Sequence, residues 1–248
     1  MNIIYDISFI KNVDLSIYND SSLFKIMNNY NKVMYDNKNL IIKLLEKDFF
    51  KVPHVDFLCP WGKEKVFYPF TSKLFKVLET NLADTSLQLH PLKTERYYSL
   101  SDNTVVADSH SIMDCKKDEI IVIPNNTVHS LLKGSKVFEE QDNLIFDDRE
   151  TIRFSDKLNR EVSKSQEYVK YLLPQFLKKF YKEKVSNYSG DGNKFVFIAD
   201  GEVEIECGAE KFVLKETEEL YYLSDKVDII SISGHVIVLD CIFYKLGE

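Results

Sequence analysis

Four side chains in this sequence have the types and spacing of a metal centre. Gln88, His90 and Glu95 lie close together, and His129 follows inside Ile123-Pro-Asn-Asn-Thr-Val-His. Two imidazoles and a carboxylate suit zinc, manganese or iron and leave positions open for a substrate. The Gln88 carboxamide oxygen is a weaker fourth donor. Side chains two apart on a strand share a face, so Gln88 and His90 project together while Leu87 and Leu89 face the opposite layer. A turn at Pro91-Leu92-Lys93 then carries Glu95 onto the neighbouring strand, and a turn at Pro124-Asn125-Asn126 sets up His129. A histidine isolated among apolar residues usually serves packing or a surface bond, and His54, His110 and His235 are read that way.

Positioning four donors from separate segments requires a β framework. Between about 55 and 155, short runs rich in β-branched and aromatic residues alternate with turn chemistry. Glu119-Ile-Ile-Val-Ile and Lys136-Val-Phe are examples, with breaks at Asp102-Asn103, Asn125-Asn126 and Lys133-Gly134. Many short strands at such spacing predict an antiparallel sandwich or barrel. The rhythm resumes from 194 to the C-terminus, with Asp200-Gly201 offering hairpin chemistry. Ahead of the first β region, Asp20-Ser21 and Asp36-Asn37 are candidate N-caps. The second precedes an apolar stripe of Leu40, Ile41, Leu44, Leu45 and Phe49, which predicts a helix over 40–50. A further amphipathic helix, broken at Pro174, is predicted over 161–183.

The expected organisation is therefore a helical segment over 1–55, a metal-binding barrel over 56–160, a helical linker over 161–186 and a second, metal-free barrel over 187–248. In that last region Glu202, Glu204 and Glu206 alternate as the solvated face of a strand.

Composition narrows the function classes. The chain has 248 residues, 44% hydrophobic and 29% charged, with a formal net charge of −7. That is an ordinary globular composition, with no long basic block to suggest nucleic-acid binding. No signal-peptide pattern or 18-residue apolar run is present, and the four cysteines form no C-x2-C pair. The expectation is a reduced cytoplasmic protein with no membrane partner.

The donor spacing resembles the double motif of the cupin superfamily. The first motif, His-x-His-x3-4-Glu-x6-Gly, is matched by Gln88, His90, Glu95 and Asp102. The second, Gly-x5-Pro-x-Gly-x2-His, is matched by Asp118, Pro124, Asn126 and His129. Asp and Asn are the usual residues other than glycine in left-handed turns. Gln in place of the first His, within Ser86-Leu-Gln-Leu-His-Pro91 and followed by Lys93-Thr94-Glu95 and the aromatic Tyr97-Tyr98, is similar to type I mannose-6-phosphate isomerases. Ile123-Pro-Asn-Asn-Thr-Val-His resembles that family's second motif. Val137-Phe-Glu-Glu-Gln141, Thr151-Ile-Arg-Phe-Ser-Asp156 and Pro60-Trp61-Gly62 resemble three further stretches.

The resemblance implies two cupin-like jelly-roll barrels and one zinc ion, or another divalent metal, held by Gln88, His90, Glu95 and His129. It implies isomerisation of a phosphosugar, mannose 6-phosphate to fructose 6-phosphate, through an enediol. Lys93 would contact substrate oxygens, Arg153 would stabilise enediolate charge, and Glu139 would be the candidate general base. The family's spacing points to Arg149 and the local match to Arg153, which its neighbours favour. The family usually has a long segment between His-Pro and Lys-Thr-Glu, where this chain has Leu92 alone. That trimming motivates an alternative, a non-catalytic sugar-binding or regulatory cupin that keeps the metal. Cupins also host dioxygenases and other isomerases, a third reading.

Overall fold

The computed structural model describes residues 43–44, 46–67, 73–108, 111–117, 119–142, 151–155, 179–184 and 192–241. The chain divides into two compact units, Met1–Asp48 and Phe49–Glu248. The first falls almost entirely outside the described residues, as do the helices expected there. The second holds every named strand.

Its first half contains β1 (Phe49–Lys51), β2 (His54–Cys59), β3 (Gly62–Phe67), β4 (Leu74–Glu79), β5 (Leu87–Leu89), β6 (Glu95–Ser99), β7 (Thr104–Ala107), β8 (Ile112–Cys115), β9 (Glu119–Ile123), β10 (Ser130–Leu131), β11 (Lys136–Gln141) and β12 (Ile152–Ser155). The second half contains β13 (Tyr181–Lys184), β14 (Lys194–Cys207), β15 (Glu210–Leu214), β16 (Glu219–Leu223) and β17 (Val227–Asp240). The fold is mainly β, as the alternating patterns predict.

Among the described residues the strands form open sheets, whereas closed barrels were expected. A seven-stranded antiparallel sheet runs β13-β9-β6-β11-β4-β3-β2. A five-stranded sheet has β1-β16-β14-β15 in a row, with β17 also paired to β14. Two small sheets, β10-β7-β8 and β12-β5, complete the set.

The seven-stranded sheet buries both faces. On one, Leu78, Tyr97, Ile121 and Val137 pack with Val106 and Leu131 of the three-stranded sheet. On the other, Phe138 stacks on Phe197 of the five-stranded sheet with ring centroids 4.1 Å apart, and Phe75 lies parallel to Phe138 at 5.7 Å. Strand alternation thus gives β11 two roles. Phe138 holds the sheets together, while Val137, Glu139 and Gln141 face the other way. Phe138 is fully buried, and Phe138→Ala is expected to lower stability by about 3–5 kcal/mol through lost burial and an unfilled cavity. Urea denaturation measures it, and a loss below about 1 kcal/mol would contradict this packing.

Three local expectations are corrected. The helix over 40–50 does not reach Phe50: Phe49–Lys51 is a strand paired to β16, with Phe50 opposite Tyr222. Tyr181–Lys184 likewise pairs with β9, although it lies at the end of the helix expected over 161–183. The rest of that helix, 161–178, lies outside the described residues.

Asp200-Gly201 does not close a hairpin. It lies inside the continuous β14, where Gly201 faces Gly234 of β17 beside a register shift. A Cβ on Gly201 would sit 2.1 Å from the Ser233 carbonyl oxygen, and one on Gly234 2.3 Å from that of Asp200. Both positions have positive φ, +137° and +75°. The glycines serve a close strand crossing rather than a turn.

Candidate metal centre

Backbone pairing brings the donor segments together. His129 and Gln88 exchange two backbone hydrogen bonds of 2.8 and 2.9 Å. On its other side Gln88 stands opposite Arg153 of β12. Directly opposed residues share a face, so Arg153, Gln88 and His129 form one row across three segments. The Asn126 N–H donates to the His90 carbonyl oxygen at 2.8 Å, and Asn126 adopts the left-handed φ of +61° its motif position predicts. Asp102 occupies a turn without a positive φ, and Asp118 lies outside the described residues.

The donors converge in a buried cluster. Potential ligand atoms of His90, Glu95 and His129 all lie within 4.8 Å of one another. His90 Nε2 is 3.4 Å from Glu95 Oε1, and His129 Nε2 is 3.0 Å from Glu95 Oε2. Gln88 Nε2 lies 3.3 Å from His90 Nε2, while its Oε1 accepts from Ser86 Oγ at 2.7 Å. Turning the amide over presents the oxygen to the cluster and leaves Nε2 to donate to Ser86.

Hydrogen bonding around the imidazoles fits a cation. His129 Nδ1 is 3.0 Å from the Thr127 carbonyl oxygen, which only accepts, so Nδ1 carries the proton. Nε2 then confronts a carboxylate oxygen, and two lone pairs at that distance need a proton or a metal ion between them. His90 Nδ1 lies 3.4 Å from Thr151 Oγ1, leaving its Nε2 toward Glu95. Outer partners that fix the tautomer and aim the other nitrogen are characteristic of metal-binding histidines.

Lys93 and Glu139 are both buried, at 8% and 2% exposure. Neither is the solvated residue that its place beside a turn or at a strand end allowed. Lys93 Nζ is 2.8 Å from Glu95 Oε1. Burial alone would raise the Glu95 carboxyl, yet Lys93, His90 and His129 together hold it well below the usual carboxylate range. A permanently ionised Glu95 is what a ligand requires.

Glu139 is different. It stands opposite Tyr97 of β6 and Lys76 of β4, one strand away from Glu95. Burial pushes its carboxyl up to about 7; Lys76 opposes that, Glu95 adds to it, and Lys93 and a hydrogen bond from Gln141 Nε2 oppose it. One carboxylate is thus held in charge while the other is poised near neutrality, an arrangement that lets two carboxylates take different roles.

Arg153 is buried on β12, and Arg149 lies outside the described residues. His54 sits apart from the cluster, 3.4 Å from Glu219. His235 is buried on β17 opposite Asp200, and His110 is outside the described residues. Several supporting groups escaped the sequence reading: Ser86, Tyr97, Thr127 and Gln141. Each lies two residues from the side chain it supports, so strand periodicity was the available signal. Tyr97 donates to Glu95 at 3.1 Å. Lys76, which forms a 3.0 Å pair with Glu64, was detectable only through register.

No protein-family model and no curated protein sequence matches the chain. Solved structures do resemble its fold. The mannose 6-phosphate isomerase of Bacillus subtilis matches with a TM-score of 0.57 and 14% identity, covering 77% of this chain and 99% of that one. A variant of the oxalate decarboxylase of Bacillus subtilis matches with a TM-score of 0.50 and 12% identity, covering 77% and 75% of the two chains. At these identities the likeness is one of fold, a cupin-like arrangement of antiparallel sheets.

Proposed function

We propose that this chain is a metal-dependent aldose–ketose isomerase of a phosphosugar, converting mannose 6-phosphate to fructose 6-phosphate. One observation carries the reading. The buried His90–Glu95–His129 cluster is joined through His129 to a row with Gln88 and Arg153, and the near-neutral Glu139 stands one strand from Glu95. The likeness to the Bacillus subtilis isomerase, spanning nearly all of that protein, supports it. Free thiols at all four cysteines suit a reducing cytoplasm.

Gln88, His90, Glu95 and His129 would hold the ion, and zinc suits these donors. A bound divalent ion supplies Lewis-acid polarisation of the sugar's carbonyl or hydroxyl oxygen. Glu139, ionised above about pH 7, removes the C2 proton of the open-chain sugar and returns one to C1, while the O2 hydroxyl proton passes to O1, in forming the ketose. Arg153 is always charged and stabilises the enediolate without exchanging a proton. Lys93 keeps Glu95 anionic and orients substrate oxygens at its edge of the cluster.

The test adds mannose 6-phosphate to the zinc-loaded chain and follows fructose 6-phosphate with a coupled assay. Turnover that chelation removes supports the reading. Sugar binding without conversion favours the non-catalytic alternative, which the two-residue Pro91-Leu92 connection motivates.

A further inference from the structure

Thr127 is a buried residue whose hydroxyl the fold leaves without work. It is 1% exposed, and its Oγ1 has no hydrogen-bond partner among the described residues. Its carbonyl is already engaged by His129 Nδ1 at 3.0 Å. A buried hydroxyl without a partner costs roughly 1–3 kcal/mol. Valine would fill the same space without that cost, so packing alone does not explain a threonine here.

Its position supplies a reason. Thr127 follows Asn126, whose N–H is bonded to the His90 carbonyl oxygen, and precedes His129 by two residues. Both Thr127 and His129 take part in β-bridges, so this short segment is extended and side chains two apart lie on the same side. Period two therefore sets Thr127 and His129 on one side of this segment, which the Asn126 hydrogen bond ties to the His90 backbone.

We propose that Thr127 is a ligand-positioning residue: its hydroxyl hydrogen-bonds an oxygen of whatever molecule occupies the open positions of the metal centre. A sugar hydroxyl or carbonyl oxygen is the matching chemistry, because a hydroxyl can donate to one and accept from the other. This rests on the metal-centre reading but not on isomerisation.

The experiment compares wild type, Thr127→Val and Thr127→Ser. It reads the thermal stability of the metal-free protein, metal content, and binding of two probes to the cobalt(II)-loaded protein by its visible spectrum. The probes are mannose 6-phosphate and acetohydroxamate, a small oxygen chelator that needs no turnover. Thr127→Val is expected to keep its metal and to melt at or above the wild-type temperature. It should bind both probes about 10-fold more weakly, the size of one lost hydrogen bond. Thr127→Ser should recover most of that loss.

The proposal is overturned if Thr127→Val binds both probes as tightly as wild type. It is also overturned if Thr127→Val melts well below wild type, which would mark the hydroxyl as a structural bond, or if wild type loaded with metal binds neither probe. A hydroxyl-dependent acetohydroxamate affinity in a protein that turns over no sugar phosphate would support this assignment while rejecting the isomerase reading.

Discussion

His129→Ala is expected to strip the chain of its ion and lower mannose 6-phosphate turnover by about 10³-fold or more. Loss of one outer hydrogen bond to a metal ligand typically weakens metal binding about 10–100-fold, and removing the ligand itself exceeds that. His129 also provides the 3.0 Å contact to Glu95 Oε2, so the variant leaves a buried carboxylate facing a void. Lys93 still pairs with the other oxygen of that carboxylate, and the aromatic contacts between the large sheets lie on the opposite sheet face, so the fold should persist. Metal analysis after gel filtration and circular dichroism separate the two effects. A folded variant that keeps one equivalent of zinc and a tenth of wild-type turnover would contradict the assignment of His129.

Glu139→Gln is expected to reduce kcat by about 10²–10⁴-fold with metal content unchanged, the range for losing a general base. The pH profile carries the sharper signature. The carboxyl of Glu139 lies near 7, and a base works only when ionised. Wild-type kcat/KM should therefore rise with pH through the region near 7, with activity lost on the acid side. A bound cation shifts this limb toward lower pH, since positive charge favours the carboxylate. The Gln variant should lose the limb altogether. A variant that keeps the same limb would assign proton transfer to another group.

The convergence of Gln88, His90, Glu95 and His129 could be read from the sequence because its geometry is local. Period two aligns Gln88 with His90, one turn returns Glu95, and Asn126 tolerates the positive φ that sets up His129. Their burial and mutual distances needed the assembled sheets. So did the Lys76–Glu139–Tyr97 row, since no spacing reveals that β4, β11 and β6 lie side by side.

The misread elements share one cause, which is long-range pairing overriding local pattern. Phe49 and Phe50 continue an apolar helical stripe, yet β16 takes them as a strand partner. Tyr181–Lys184 follows a helical pattern, yet it completes the edge of β9. Asp200-Gly201 has turn chemistry, but Gly234 opposite lets the strand run through. Propensity is a weak prior where a sheet edge is open.

The proposed isomerase activity depends on one metal ion held by His90, Glu95 and His129 with Gln88. The most direct measurement titrates zinc into the metal-free protein and follows the rate of fructose 6-phosphate formation from mannose 6-phosphate. The rate should be negligible without metal, rise linearly, and level off at about one equivalent per chain, the single ion these side chains would hold. Full occupancy with no turnover of any hexose or pentose phosphate, or a rate indifferent to metal, would contradict it.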